Sequence, residues 1–138
     1  MNWFTWALLS AFFAGLTAVL AKVGVAQVNS NLATAIRTVV ILIFAWSVAL
    51  FTNTESMRTI GARAWIFLIL SGIATGLSWL CYFRALQLGE ASRVAPVDKL
   101  SVVIAIALAA IFLHENLTWH KWAGGLLIFS GAVVLAYA

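Results

Sequence analysis

Apolar residues fill the chain in five long runs that are separated by short polar stretches. Each run is close to the length that an α-helix needs to cross the hydrocarbon core of a bilayer, about 20 residues. Because five is an odd number, the two termini are predicted to lie on opposite sides of the membrane. The predicted transmembrane helices, numbered as segments one to five, cover residues 3–25, 32–51, 64–88, 96–113 and 119–137.

The composition agrees with a membrane environment. Hydrophobic residues make up 64% of the chain and charged residues 9%, which leaves too little polar surface to cover a soluble domain of this size. The first run lacks a cationic start and is too long for a cleaved signal peptide, so we expect it to be a retained helix. The chain is therefore predicted to be an all-α, multi-pass protein of the cell (inner) membrane, with residues 1–138 as a single transmembrane domain.

Local signals mark several helix ends. Asn29 and Ser30 precede segment two, and their short polar side chains are predicted to cap it. Gly89 suits the end of segment three. Pro96 suits the first turn of segment four, where a missing backbone N–H does no harm.

The tryptophans support the five-helix arrangement. When the segments alternate in direction, six of the seven tryptophans fall on the side of the membrane that holds the amino terminus, which we name the tryptophan face. Tryptophan favours the headgroup level because its ring is apolar and its N–H is polar. These six residues are Trp3, Trp6, Trp46, Trp65, Trp119 and Trp122.

The basic residues give a nearly balanced signal for orientation. Five lie on the face that holds the carboxyl terminus and three lie on the tryptophan face, so a plain count favours a cytoplasmic carboxyl terminus. Four of the five lie in or beside apolar runs, where a function could hold them, and without them the count reverses. The five are Lys22, Arg37, Arg84, Arg93 and Lys99, and the three are Arg58, Arg63 and Lys121.

The most specific constellation is a cluster of ionisable residues within apolar helix. Lys22 and Arg84 lie near the ends of segments one and three, and Arg37 lies about two turns into segment two. Asp98 and Lys99 begin segment four. A cation at mid-bilayer costs roughly 2.5 to 3.5 kcal/mol, so each one needs water, a partner or a ligand. The cluster is either a set of snorkelling anchors with Asp98 as counter-ion, or a polar cavity mouth that binds an anionic or zwitterionic solute.

Three further residues accompany this cluster. Trp79 lies well inside segment three, one turn before Tyr82, where a buried aromatic serves either core packing or a substrate platform. Ser101 follows Asp98 by three residues and therefore shares its face of segment four. The candidate substrate or coupling-ion site comprises Lys22, Arg37, Trp79, Tyr82, Arg84, Asp98, Lys99 and Ser101.

Glycines mark predicted helix contacts. Gly72 and Gly76 form a GxxxG pattern in segment three, and such stripes allow close backbone approach between helices in lipid. Gly124, Gly125 and Gly131 make segment five glycine-rich. We expect these five glycines to serve helix packing.

No pattern indicates an enzyme or a metal site. His114, Glu115 and His120 lack the spacing that places two metal ligands on successive helix turns. No nucleophile-base grouping and no phosphate-binding glycine loop is present in the sequence. We therefore expect no cofactor, no metal, no catalysis and no nucleic-acid partner.

Several short motifs follow one another along essentially the whole chain. Ala21-Lys22-Val23-Gly24 ends the first helix, Arg37 lies in the second, the run from Tyr82 to Ser92 ends the third, and Pro96 begins the fourth. The tail consists of the run from Phe112 to Thr118 followed by the run from Gly124 to Gly131. In this order and spacing, the motifs resemble the EamA-type repeat of the drug/metabolite transporter superfamily.

The resemblance implies a secondary transporter or exporter of small metabolites, with a cavity lined mainly by helices one, three and four of each repeat. It also implies that most members carry two repeats, and a second copy after an odd number of helices enters the membrane inverted. This chain holds one repeat. It departs from the family pattern at His114, where glycine is usual, and at Asp98-Lys99, where the family is commonly apolar, so the substrate class is not carried over.

These patterns together predict a transporter subunit that acts as an antiparallel homodimer and moves a small polar metabolite by alternating access. The nearly balanced charge motivates the antiparallel arrangement, because only a weakly biased chain inserts in both directions. Two alternatives stay open. In the first, the chain is a non-transporting accessory or scaffold subunit that binds anionic lipid headgroups. In the second, it is one half of a heterodimer with a related five-helix partner.

Overall fold

The computed structural model describes residues 2–52 and 57–137, and the regular elements within these ranges are all helical. A short 3₁₀ turn covers Met57–Thr59. The α-helices are α1 (Trp3–Gly24), α2 (Ser30–Phe51), α3 (Ala62–Leu88), α4 (Ala91–Asp98), α5 (Leu100–Phe112) and α6 (Trp119–Tyr137).

Five helical stretches are long and apolar enough to cross a membrane: α1, α2, α3, α6, and α4 together with α5 as Ala91–Phe112. This confirms the predicted all-α fold with five membrane spans. At most 11% of the residues in each apolar window are buried within the chain. The side chains of these helices therefore face lipid or another polypeptide over most of their surface.

The start of α2 follows from a side-chain cap. The Asn29 side-chain oxygen accepts hydrogen bonds from the backbone N–H groups of Asn31 (2.9 Å) and Leu32 (3.4 Å). This satisfies two of the amides that have no partner inside the helix. The prediction of a cap at Asn29 is confirmed, and the helix begins at Ser30, two residues earlier than expected.

The prediction that Pro96 opens the fourth span is wrong. Helix α4 begins at Ala91, where the backbone N–H groups of Arg93 and Val94 donate to the Glu90 carbonyl, and Pro96 lies inside it. Proline lacks the N–H that would bond to the Ser92 carbonyl and its ring crowds that carbonyl, but the N–H groups of the residues before Pro96 are unaffected, so a helical turn can form there. The irregularity appears afterwards, at Lys99, whose N–H donates to the Pro96 carbonyl at 3.1 Å in a tightened turn.

The described residues form two compact units. Unit one contains the described chain up to Val23 and from Leu88 onward, and unit two contains the described residues from Gly24 to Gln87. Unit one thus holds nearly all of α1 together with α4, α5 and α6, whereas unit two holds α2 and α3. That residues 1–138 act as a single domain stays a prediction.

In unit one, α6 packs against both α4 and α5. Gly125 of α6 is buried, and a Cβ atom at this position would lie 3.9 Å from the Ile106 Cδ1 atom of α5, which is ordinary van der Waals contact. Of the glycines expected to serve packing, this one lies at a helix contact within the chain. At the other four glycines, a Cβ atom would lie more than 4 Å from every described atom beyond the adjoining residues and the nearby backbone of the same helix; they are Gly72, Gly76, Gly124 and Gly131.

In unit two, the buried residues belong to the connection that precedes α2, the first turns of α2 and the last turns of α3. They are Val25, Ser30, Thr34, Phe83 and Leu86. Thr34 is compatible with burial because its hydroxyl donates to the Ser30 carbonyl at 2.8 Å, one turn earlier in the same helix. The end of unit two that holds Arg37 is therefore its best-packed part.

Candidate functional site

The Arg37 side chain lies over two aromatic rings of α3. Its guanidinium carbon is 4.9 Å from the centre of the Phe83 ring and 5.3 Å from the centre of the Trp79 ring. Trp79 and Phe83 are four residues apart and therefore share one face of α3. Both distances are within the range of about 6 Å in which a cation is attracted to a ring face. We name these three residues the arginine platform.

The two rings hold the guanidinium without occupying its N–H groups. Phe83 is buried, with 1% of its surface exposed, and Trp79 is half-buried. Within residues 2–52 and 57–137, no hydrogen bond or ion pair of Arg37 is found, and Tyr82 is the titratable side chain that interacts with its charge. A guanidinium carries five donors, and a charge inside an apolar span is retained where water, an ion or a ligand approaches it. The platform therefore presents unused donors and one positive charge.

Tyr82, Arg84 and Gln87 lie on the same part of α3 but have different surroundings. The Tyr82 ring is half-buried and meets the Phe83 ring edge-on, with the ring centres 6.3 Å apart. Arg84 is exposed and its Nη1 donates to the Gln87 side-chain oxygen at 2.7 Å. The Gln87 amide in turn donates to the backbone carbonyls of Val28 (3.0 Å) and Val25 (3.5 Å). Arg84 thus belongs to a network that ties the connection between α1 and α2 to α3.

Lys22 has a backbone partner in unit one. Its Nζ donates to the Gly89 carbonyl at 2.7 Å, directly after α3 ends. A cation at the carboxyl end of a helix is favourable because it meets the negative end of the helix dipole and its unpaired carbonyls. This contact gives Lys22 a structural role.

Asp98 and Lys99 flank the irregularity between α4 and α5. The Lys99 Nζ and the Asp98 carboxylate are 3.4 Å apart, and the Lys99 side chain is exposed. Ser101 lies one turn after Asp98 on α5 and is also exposed. The three residues are thus placed at a single tightened turn within the fourth span, where α4 passes into α5.

The structure brings together some of the predicted site residues. In unit two, Arg37 and Trp79 are in contact, and Tyr82 adjoins them through Phe83. In unit one, Asp98 and Lys99 form an ion pair. The sequence interpretation did not single out Phe83, although its position four residues after Trp79 places both rings on the face that Arg37 contacts.

Two cavities flank the contact between α5 and α6. The larger has a volume of about 460 Å³ and apolar lining, including Trp122 and Phe129. The smaller has a volume of about 340 Å³ and includes Glu115 and Lys121 in its lining. These two side chains form an ion pair of 3.3 Å. Among the described residues, no group of three or more metal-ligating side chains is found.

His114 has an unusual backbone conformation. It follows the end of α5 with a φ angle of 53°, in the left-handed region that non-glycine residues seldom occupy. The N–H of the next residue, Glu115, donates back to the Ala109 carbonyl at 3.3 Å, which closes the end of the helix. The chain therefore turns here in a way that glycine would adopt more easily.

Comparison with known proteins gives a consistent result. A family model described as "EamA-like transporter family" matches residues 1–137. A relative from Sinorhizobium sp., described as an "uncharacterized transporter in cobO 3'region", is 56% identical over 136 residues, which cover 98% of this chain and 96% of that protein. No solved structure matches the chain significantly.

Two further relatives carry more specific descriptions. A Salmonella typhimurium protein described as a "probable amino-acid metabolite efflux pump" is 35% identical over 82 residues, 59% of this chain and 27% of that protein. An Aeromonas salmonicida protein described as a "probable 4-amino-4-deoxy-L-arabinose-phosphoundecaprenol flippase subunit ArnE" is 30% identical over 69 residues, 50% of this chain and 60% of that protein. The matched region is thus well under half of the length of the Salmonella typhimurium protein.

Proposed function

The chain belongs to the EamA-like transporter family, and on that premise we propose that it is a secondary transporter subunit that moves a small polar metabolite bearing a carboxylate. Membership of this family indicates transport rather than catalysis. The chain is a multi-pass membrane protein, and we place it in the inner membrane. In this proposal it works by alternating access, as one half of a dimer.

The arginine platform is the observation that carries the proposal. A carboxylate matches a guanidinium because two parallel N–H···O bonds can form between the two planar groups. Arg37 has its donors unused within the described chain, and the neighbouring rings exclude water from one side of it. The description of one relative as an amino-acid metabolite efflux pump supports a solute of this chemical class.

The charged pair at the end of α4 supports a second part of the proposal. Helix α4 passes into α5 through one tightened turn at Lys99, and an ionisable side chain inside a membrane span needs water, a partner or an ion. Asp98 lies at this point and holds Lys99. We assign Asp98 to coupling: it exchanges a proton or pairs with a cation when the solute leaves. Lys22, Arg84 and Ser101 stay candidates for solute contact.

The dimer is supported by the lengths of the relatives. The chain covers 96% of the Sinorhizobium transporter, which is therefore also a single repeat. The matched 82 residues are only 27% of the Salmonella efflux pump, so that protein is more than twice as long as this chain. Two copies of a single repeat would supply the second half, and an antiparallel pair would reproduce the inverted-repeat design.

Transport by purified protein in liposomes tests this function. We expect Arg37→Ala and Asp98→Asn each to abolish uptake of a solute that the wild-type protein carries, without loss of expression or membrane insertion. Arg63→Ala is the matched control, because it removes a cation at the start of α3 outside the site. Full activity in both site variants would refute the assignment. Absence of flux for every solute and gradient would instead favour a scaffold role.

One relative favours a second candidate, a subunit of a heteromeric transporter. The Aeromonas protein is described as a flippase subunit, and it covers half of this chain. If the transporter is heteromeric, we expect the purified chain alone to be inactive and to gain transport activity with a second five-helix chain of opposite charge bias. Co-purification of a tagged copy with a differently tagged copy distinguishes the cases, because a strict heterodimer does not pair with itself.

A further inference from the structure

The smaller cavity of unit one combines an apolar floor with an ion pair at one end. The floor is made by small and branched side chains of α5, and the charged end is made by Glu115 and Lys121. The apolar lining residues are Val102, Ala105, Ile106, Ala109 and Leu117. We name this cavity the α5–α6 groove. Val102 and Ala105 are exposed at the surface, so the groove is accessible from the side of the helices.

The ion pair retains the capacity to bind a second pair of charges. The side chains of Lys121 and Glu115 are 41% and 53% exposed, and an exposed pair contributes about 0 to 1 kcal/mol. A carboxylate accepts hydrogen bonds at several lone pairs and an ammonium has three donors, so one mutual contact leaves both groups unsaturated. A zwitterion placed against the pair would give each charge an opposite neighbour.

The depth of the pair in the membrane indicates the source of such a zwitterion. Lys121 lies in the first turn of α6 between Trp119 and Trp122, whose exposed rings are typical of the headgroup level. From Ala109 to Val102 the groove extends seven residues along α5, or about 10 Å, into the hydrocarbon region. A charged end at the headgroups and an apolar floor below them match the shape of a phospholipid.

We propose that the α5–α6 groove binds a zwitterionic phospholipid whose headgroup ends in a primary ammonium, such as phosphatidylethanolamine. The lipid phosphate pairs with Lys121, the lipid ammonium donates to Glu115, and one acyl chain lies along the alanine-lined floor. A trimethylated ammonium of the same charge has no N–H to donate, and an anionic headgroup without an ammonium leaves Glu115 facing a negative charge. The groove therefore prefers the primary ammonium over both.

Native mass spectrometry of the purified protein tests this preference. The protein is mixed with equal amounts of phosphatidylethanolamine, phosphatidylcholine and phosphatidylglycerol that carry identical acyl chains. We expect wild-type protein to retain phosphatidylethanolamine about fivefold over phosphatidylcholine, since a charge-assisted contact at an exposed site is worth up to about 1 kcal/mol, which corresponds to roughly fivefold. The double variant Glu115→Gln, Lys121→Gln should reduce this ratio to about twofold or less.

A matched ion pair outside the groove provides the control. Glu90 and Arg93 are 3.6 Å apart and exposed, so Glu90→Gln, Arg93→Gln should leave the lipid preference unchanged. Ala105→Leu keeps both charges of the groove but fills its floor, and it should lower retention of all three lipids. Melting temperatures in lipid-free detergent verify that each variant is folded. Equal retention of the two zwitterionic lipids by the wild type, a preference for phosphatidylglycerol, or an unchanged preference in the double variant would overturn the proposal.

Discussion

Arg37 carries a positive charge in an apolar membrane span. In such a span, a cation at mid-bilayer costs roughly 2.5 to 3.5 kcal/mol, and each of the two ring faces attracts it by about 0.5 to 2 kcal/mol. The rings offset part of this cost and hold the guanidinium in place, but they leave its N–H donors without a hydrogen-bond acceptor. An anionic solute that approaches the free donors would supply the remaining stabilisation. In the proposed function, the solute carboxylate meets these donors.

Trp79 is expected to position Arg37 in the transport cycle. Trp79→Leu removes a ring face while keeping an apolar side chain of moderate size, so we expect the KM for the carried solute to rise about threefold to tenfold. Trp79→Phe keeps a ring and should restore most of the affinity. Phe67→Leu, at an exposed position of α3, is the control. Identical KM values for the Leu and Phe variants of Trp79 would exclude a role for the ring face.

His114 is expected to hold strain that glycine relieves. The left-handed conformation of His114 costs an L-residue roughly 1 to 2 kcal/mol of stability. Glycine removes this cost, but part of the gain is lost because glycine makes the unfolded chain more flexible. His114→Gly should therefore raise the free energy of unfolding by about 0.5 to 1 kcal/mol. His114→Ala keeps a Cβ atom and should not stabilise. Detergent unfolding curves of the three proteins provide the measurement, and equal stability of the Gly and Ala variants would contradict the explanation.

At the scale of the helices, hydropathy alone could predict the five spans, because a run of apolar residues of membrane length has few alternatives to a helix. Hydropathy could not place the tightened turn within the fourth span. The effect of Pro96 on the helix backbone depends on which neighbouring carbonyl groups find other hydrogen-bond donors. Here the turn tightens three residues later, where the Lys99 N–H donates to the Pro96 carbonyl. The arginine platform was half predictable: Arg37 and Trp79 stand out as a charge and an aromatic inside spans, whereas Phe83 is one of nine phenylalanines.

Gln87 is expected to fix the connection between α1 and α2. Its amide donates to two backbone carbonyls of that connection and its oxygen accepts from Arg84. Gln87→Leu should lower the free energy of unfolding by about 1 to 2 kcal/mol, since each lost hydrogen bond contributes about 0.5 to 1.5 kcal/mol. Gln27→Leu, at an exposed position of the same connection, is the control. Equal destabilisation by both substitutions would show that the network is unimportant.

For the molecule as a whole, the proposed antiparallel dimer depends on the topology of each copy. A single repeat with an odd number of helices can form an inverted pair only if copies insert in opposite directions, and this requires weak charge bias between the two faces. The eight basic residues divide five to three, and the division depends on residues that lie inside or beside spans. We therefore expect orientation to depend on a few charges, so the proposed antiparallel dimer can be tested by changing them.

Charge-biased variants are expected to complement one another. Adding three lysines to the connection between α5 and α6 should hold the tryptophan face in the cytoplasm, whereas adding three lysines after Tyr137 should hold the opposite face there. Each variant alone then inserts in one direction, cannot form the inverted pair and loses transport. Co-expression of the two variants restores an inverted pair and should recover transport.

Cysteine labelling at each terminus, in a background with Cys81 replaced by alanine, measures the orientation of every variant. Activity of either variant alone with a single measured orientation would exclude the antiparallel homodimer, because no copy of the opposite orientation would be present to complete it.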